Sequence, residues 1–179
     1  MSTSERPAEV AEETPAAATV RPARPADVPA MHELIRALAE YEQALDEVTS
    51  APADLHAALF QPHPAVFAHV AEHEGGVVGC AIWFVNYSTW TGQHGLYLED
   101  LFVTPRLRRG GVGAALLAEL AAICVERGYP RLDWAVLDWN EPAQAFYRSL
   151  GAVPQDDWTL NRVSGEALTA LARRRPAPK

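Results

Sequence analysis

The chain has 179 residues, with 15 lysines and arginines against 23 aspartates and glutamates, so its formal net charge at pH 7 is −8. The length is typical of one domain with a substantial core, and the negative charge argues against nucleic acid as a partner. No apolar run is as long as a membrane span, and the first residues lack the charged-then-apolar order of a secretory signal, so we expect a cytoplasmic protein without a membrane partner.

The N-terminal part of the chain predicts a tail, a strand and a helix. Residues 1–18 are rich in Ala, Glu, Pro, Ser and Thr and lack aromatics, which predicts a disordered tail before a domain over 19–172. A first strand is predicted over 19–24, at a sheet edge because Pro22 cannot donate to a ladder. Apolar residues at helical spacing then predict an amphipathic helix over 27–43.

The next stretch reads as a short helix followed by a strand pair. The helix is predicted over 51–60 and the first strand over 66–71. Residues 73–76 form a hairpin turn that leads into a strand over 77–87, whose continuous apolar run predicts burial on both faces. Residues 86–95 are predicted to be a polar loop.

An apolar strand then runs into a basic, glycine-rich turn and a helix. The strand ends before Pro105, and the helix is predicted over 112–127, with Gly128 as its left-handed end. Amide groups at a helix start, among glycines, form a cradle for phosphate oxygens, so the turn predicts an anion site. The turn has neither the dinucleotide fingerprint nor the Gly-Lys-Ser/Thr end of a P-loop.

The C-terminal part continues with alternating elements. We predict a strand over 131–137, a short helix over 143–150, a last strand over 158–163 and a helix over 165–174, with a tail over 173–179. A hairpin combined with β-α-β units predicts an α/β fold, with a mixed central sheet flanked by helices.

Two residue types that often carry chemistry have a structural interpretation here. Cys80 and Cys124 are far apart and each lies in an apolar run, which predicts buried free thiols. The six histidines form no metal-ligand spacing, so we predict no metal site.

The turn Arg108-x-x-Gly111-x-Gly113 is similar to the pyrophosphate loop of the GNAT superfamily of acetyl-CoA-dependent N-acetyltransferases, and the element order matches that fold. A narrower combination joins Leu-Glu-Asp at 98–100 with the stretch from Trp139 to Gly151, WNEPAQAFYRSLG. Together with the helix end at Tyr41-Glu42 and the segment 87–90, this resembles the diamine branch, which contains spermidine/spermine and thialysine acetyltransferases.

The resemblance implies that acetyl-CoA binds along the strand and its turn. The residues so implicated are Leu101, Phe102, Val103, Arg108, Arg109, Gly110, Gly111, Val112, Gly113, Ala114, Asn140 and Ala143. Asn140 would contact the pantetheine arm, although Asn before Pro142 is also a favoured helix cap, and both interpretations can hold.

Acetylation of an amine needs a base for the ammonium and an acid for the departing thiolate. The resemblance places the base at Glu99 and the acid at Tyr147. An edge carboxylate paired with arginine and a half-buried core tyrosine are the structural alternatives. Because successive strand residues point to opposite faces, only one of Glu99 and Asp100 faces a cleft unless a bulge intervenes.

Substrate recognition rests on charge and aromaticity. We expect Glu42, Asp100 and Trp90 to bind a small cationic amine, since carboxylates beside an aromatic face suit an ammonium group. A polyamine, a lysine-like amino acid, an aminoglycoside and a protein N-terminus all remain open, as does a non-enzymatic CoA-binding regulatory module. By resemblance, the protein is a homodimer.

Overall fold

The computed structural model describes residues 18–176, so all but the last residue of the predicted tail over 1–18, and the last three residues of the chain, lie outside the described part. The chain divides into two compact units, one up to Leu137 and one from Asp138 onward. Each unit is described by itself.

The first unit contains a five-stranded sheet with spatial order β1-β2-β3-β4-β5. The strands are β1 Thr19–Pro22, β2 Phe67–His73, β3 Gly76–Ser88, β4 Gln93–Val103 and β5 Leu132–Trp134. The first four pair antiparallel, and β5 pairs parallel to β4. This confirms the mixed sheet, and it confirms β1 as an edge strand.

Helices cover both faces of this sheet. They are α1 Val28–Tyr41, α2 Pro52–Phe60 and α3 Val112–Arg127. The apolar faces of α1 and α2 bury one side of the sheet, in a cluster made of Met31, Leu34, Leu59, Ala68, Val70, Cys80, Ile82 and Phe102. On the opposite side α3 packs closely, because a Cβ at Gly79 would lie 3.4 Å from the Cδ1 atom of Leu116. The central strands are therefore buried on both faces, as the apolar run in β3 predicts.

The turns between strands differ from one another in how well the sequence predicts them. Glu74 and Gly75 both have positive φ, +51° and +75°, which is the geometry of a tight hairpin turn at the predicted place. The predicted loop over 86–95 is wrong, since β3 continues to Ser88 and β4 begins at Gln93. Polar side chains hydrogen-bond to one another across the sheet here: Asn86 Nδ2 donates to Asp133 Oδ2 at 3.0 Å.

β5 is shorter than the predicted strand over 131–137. It pairs with β4 only from Leu96 to Leu98, so its pairing ends where β4 becomes irregular. Both cysteines are buried free thiols, as predicted.

The second unit contains α4 Glu141–Ser149 and α5 Gly165–Ala172. Gly151 ends α4 with φ of +89°, as its position predicts. The predicted strand over 158–163 is wrong, because the described part of this unit has no strand for it to pair with. The Trp158 N–H instead bonds back to the Gln155 carbonyl at 3.2 Å, which bends the chain.

Candidate active site

A β-bulge in β4 lies at the predicted catalytic position. Ile82 of β3 opposes Asp100, whereas the next residue, Trp83, opposes Leu98. Glu99 is therefore an extra residue without a partner across the β3–β4 ladder, and its side chain is exposed. The bulge releases Glu99 and Asp100 from strict alternation, which is the condition under which both can face one cleft.

Asp100 lies on the α1 side of the sheet, because its partner Ile82 belongs to the core beneath α1. Burial, the charge of Glu99 and the charge of Glu42 together raise the pKa of Asp100 to about 6. Glu42 follows the last residue of α1, and burial raises its pKa as well. Glu99 and Glu42 therefore lie within electrostatic reach of Asp100; Glu42 and Asp100 are partly buried, whereas Glu99 is exposed. We call Glu42, Glu99 and Asp100 the carboxylate cluster.

Tyr97, two residues before Glu99 on β4, is a neighbour of the carboxylate cluster that the sequence analysis missed. Tyr97 pairs with Phe84, and their ring centroids are 5.0 Å apart. Burial, Glu99 and Asp133 raise the pKa of the Tyr97 phenol, in that order of importance. The β4–β5 register pairs Tyr97 with Asp133, and the sequence alone does not show that the two residues are neighbours.

Trp90 lies in the turn between β3 and β4, with 86% of its surface exposed. From the start of β4 at Gln93 to Glu99 is six residues, or roughly 20 Å of strand. The structure therefore does not bring the Trp90 backbone to the carboxylate cluster, and a substrate-binding role for Trp90 stays a prediction.

Beyond the bulge, one edge of β4 is available to a ligand. Leu101, Phe102 and the residues beside them pair with β3, whereas the pairing with β5 ends at Leu98. The Phe102 and Val103 side chains are buried, so only backbone groups can serve a ligand there. A peptide-like chain such as pantetheine fits an open strand edge of this kind.

The loop in which the sequence predicts an anion site leads into the start of α3. Gly111 has φ of +81° and Arg109 has φ of +66°, which curls the loop before the helix begins at Val112. Within residues 18–176, no side chain caps this end of α3 and no atom lies within 4 Å of a Cβ built on Gly111. The first-turn N–H groups, which include those of Gly113 and Ala114, have no partner within the helix, and N–H groups of this kind fit a pyrophosphate.

The two arginines of the loop differ in their contacts. Arg108 Nε donates to the Val103 carbonyl at 3.2 Å, and its guanidinium carbon lies 5.0 Å from the Tyr41 ring centroid and 5.1 Å from that of Phe102. These contacts brace the loop against β4 and α1, a role that the sequence motif does not reveal. Arg109 is exposed on the loop itself. Phosphate binding by either side chain stays a prediction.

The remaining predicted site residues lie in the second unit. Asn140 Oδ1 accepts from the Ala143 N–H at 3.3 Å, which confirms Asn140 as the cap of α4. Tyr147 lies within α4, partly exposed, with its ring centroid 5.3 Å from that of Phe146. Their roles toward the cofactor and the departing thiolate stay predictions.

Among residues 18–176, no three His, Cys, Asp or Glu side chains are arranged to hold a metal ion. None of the described helices has both the length and the apolar composition needed to cross a lipid bilayer.

Comparisons with known proteins agree with this geometry. The model of the acetyltransferase (GNAT) family matches residues 29–152. Thialysine N-epsilon-acetyltransferase of Bos taurus is 35% identical over 164 residues, which cover 86% of this chain and 96% of the relative. L-ornithine N5-acetyltransferase of Arabidopsis thaliana is 28% identical and covers 85% of this chain and 86% of the relative. An integron cassette protein of V. cholerae superimposes with a TM-score of 0.74 at 25% identity, covering 88% of this chain and 99% of that one.

The fold and the loop define an acyl-CoA-dependent acyltransferase. The chain belongs to the acetyltransferase (GNAT) family and is an acetyltransferase. Enzymes of this family use acetyl-CoA as co-substrate, and the loop before α3 fits its pyrophosphate.

Proposed function

We propose that this enzyme transfers the acetyl group of acetyl-CoA to a primary amine of a small cationic substrate, either a diamine or polyamine or a lysine-like amino acid. The observation that carries this proposal is the carboxylate cluster at the β4 bulge, on the strand that leads to the anion site. Thialysine and ornithine, named in the relatives, are both amino acids with a side-chain amine, which supports the same substrate class.

Glu99 acts as the base in this proposal. An ammonium has no lone pair, so Glu99 takes one of its protons, directly or through water, before the nitrogen attacks the thioester carbonyl. A β4 backbone N–H beyond the bulge donates to the carbonyl oxygen as negative charge develops there. The new C–N bond forms, the C–S bond breaks, and Tyr147 gives its phenol proton to the departing thiolate. The nitrogen releases its second proton to water, and water reprotonates the Tyr147 phenolate. Transfer is direct, within one ternary complex.

Asp100 and Glu42 hold the substrate rather than activate it. A dication needs negative charge beyond the reacting amine, and the two half-buried carboxylates supply it beside Glu99. Trp90 would contact the more distant part of a long substrate.

The test is an amine screen with acetyl-CoA in which released thiol is measured. Ornithine, lysine, thialysine and spermidine represent the proposed class, and an aminoglycoside and a peptide with a free N-terminus represent the alternatives. We expect turnover with at least one small amine of the proposed class. Turnover with the aminoglycoside or the peptide alone would contradict the proposed substrate class.

Two variants test the residue roles. Glu99→Gln and Tyr147→Phe should each lower kcat by about 10²- to 10⁴-fold with little change in acetyl-CoA affinity. The matched control is Glu74→Gln, in the exposed turn between β2 and β3. An unchanged kcat in either variant would remove that residue from the proposed mechanism.

Two further proposals concern the oligomeric state of the protein and its location in the cell. We infer a homodimer, which the exposed apolar side chains of the second unit support. We also infer a cytoplasmic location, which cell fractionation would test.

A further inference from the structure

A cavity of about 370 Å³ lies in the first unit, apart from the candidate active site. It opens between the end of α2, the middle of α3 and the edge of the sheet at Pro22, and its α3 residues run from Glu119 to Arg127. Those residues lie about 12–24 Å along the helix axis from Gly111, so the cavity is separate from the phosphate cradle. Its volume falls at the small end of the range for ligand pockets, about 300–1,000 Å³.

A histidine in the cavity wall has a fixed tautomer. His69 is buried, with 6% of its surface exposed, and Trp83 Nε1–H donates to His69 Nδ1 at 3.1 Å. Because Nδ1 accepts that bond, the proton of the neutral ring resides on Nε2. Burial also lowers the His69 pKa, which favours the neutral ring. The cavity therefore contains an N–H donor held in position by a buried tryptophan.

The carboxylate that faces His69 is too far from this donor for a direct bond. Glu119 Oε1 lies 3.8 Å from His69 Nε2, beyond hydrogen-bond distance. A group between them must accept from Nε2–H and donate to the carboxylate. A hydroxyl can do both at once, whereas an ammonium can only donate and a carboxylate can only accept.

Apart from Arg127, the remaining lining is aromatic and apolar. Phe67 stacks on Trp83 with ring centroids 4.6 Å apart, and the Arg127 guanidinium lies 5.6 Å from the Trp83 centroid. Phe60 and Ile123 complete the apolar wall. Such a wall favours a flat apolar body with a single polar group.

We propose that this cavity binds a small aromatic alcohol, with its ring against Phe67 and Trp83 and its hydroxyl bridging His69 Nε2 and Glu119. The site is independent of acetyl transfer, and the proposal does not rest on the proposed substrate. Phenol is the simplest probe, and toluene is a control of nearly the same shape that lacks the hydroxyl.

The experiment titrates the full-length protein with phenol and with toluene by calorimetry. We expect saturable phenol binding, about fivefold tighter than toluene binding, because one buried hydrogen-bonding group contributes about 1 kcal/mol. Ile123→Trp fills the cavity and should abolish phenol binding, whereas Val125→Trp, on an 81% exposed position of the same helix, should preserve it. No saturable phenol binding, equal binding of toluene, or unchanged binding in Ile123→Trp would overturn the proposal.

A second variant tests the proposal even if Ile123→Trp does not fold. Glu119 lies on the partly exposed side of α3, so Glu119→Ala should fold normally. It removes the acceptor and should reduce the preference for phenol over toluene to about twofold or less. A preference that persists in Glu119→Ala would show that the hydroxyl does not bridge to this carboxylate.

Discussion

At the scale of single residues, Asp100 shows how a site can weaken the fold that holds it. Its folded-state pKa of about 6 lies above the ordinary value for aspartate. The fold therefore favours the protonated form. The stabilisation that protonated Asp100 gives is present below the ordinary pKa and is lost as the pH rises through about 6. Above that pH, the ionised carboxylate beside Glu99 and Glu42 costs stability.

Asp100→Asn should therefore stabilise the protein and weaken binding of the amine. At pH 8 the free energy of unfolding should rise by about 1–2 kcal/mol, because a neutral amide replaces a half-buried charge. The gain should shrink as the pH falls through 6. Denaturant unfolding at several pH values measures the first effect, and KM for the amine measures the second. Glu126→Gln, exposed on α3, is the control and should show neither. A gain that is equal at pH 8 and pH 4.5 would contradict the electrostatic explanation.

The sequence could predict those site residues whose role depends on local chemistry. Gly111 before an Ala/Leu-rich helix and Glu99 within an apolar strand both stand out as residue types in unusual places. Tyr97 and Asp133 do not, because their proximity depends on the register of β5 against β4. Likewise, the contacts of Arg108 with Tyr41 and Phe102 join residues that are distant in the chain.

At the scale of elements, the two ends of α3 carry the same backbone geometry for different purposes. Gly111 at its start and Gly128 at its end both have positive φ, +81° and +68°, and neither has a protein atom within 4 Å of a built Cβ. At either glycine, an added methyl group would therefore meet no steric clash, and the strain of a left-handed backbone would be its main cost. Only at Gly111 would that methyl also stand in the phosphate cradle.

Gly111→Ala and Gly128→Ala should each lower the free energy of unfolding by about 1–2 kcal/mol. Only Gly111→Ala should weaken acetyl-CoA binding, by about tenfold or more, because it obstructs approach to the first-turn N–H groups. Denaturant unfolding and calorimetric titration with acetyl-CoA measure the two effects separately. Equal affinities in the two variants would contradict the assignment of the cradle.

Elements defined by local periodicity were easier to predict than those defined by pairing. The amphipathic pattern of α1 and the glycine-bounded α3 specify helices from within their own residues. A strand needs a neighbour, and the stretch over 158–163, predicted as a strand, does not form one in the structure. Conversely, the polar residues of 86–95 are mostly paired, because β3 and β4 extend their ladder through Asn86 and Gly95.

At the scale of the whole molecule, the second unit exposes an unusual number of large apolar side chains. Those with at least half of their surface exposed from residue 153 onward are Val153, Trp158, Leu160, Val163, Leu168 and Leu171. Apolar groups concentrated in this way are typical of a protein–protein interface. They are the structural support for the inferred homodimer.

The unmodified protein should sediment as a dimer, and Leu160→Asp should shift it toward the monomer. Leu160 is 79% exposed, so a charge there costs the folded monomer little but is costly in an apolar interface. Val125→Asp, at an 81% exposed position of α3, should remain dimeric. Analytical ultracentrifugation distinguishes these outcomes. A monomeric unmodified protein would exclude the homodimer.

Glu99, the extra residue of the bulge, is needed for the proposed chemistry but not for the pairing of β3 with β4. Without Glu99, Leu98 would still oppose Trp83 and Asp100 would still oppose Ile82, and the two pairs would then be consecutive in a regular ladder. The flanking strand halves would keep every partner and every face. Deletion of Glu99 should therefore leave the free energy of unfolding unchanged or raised, as urea unfolding would measure, while acetyl transfer falls to background. The pairing of the sheet does not depend on Glu99, and this one inserted residue supplies the base that we propose.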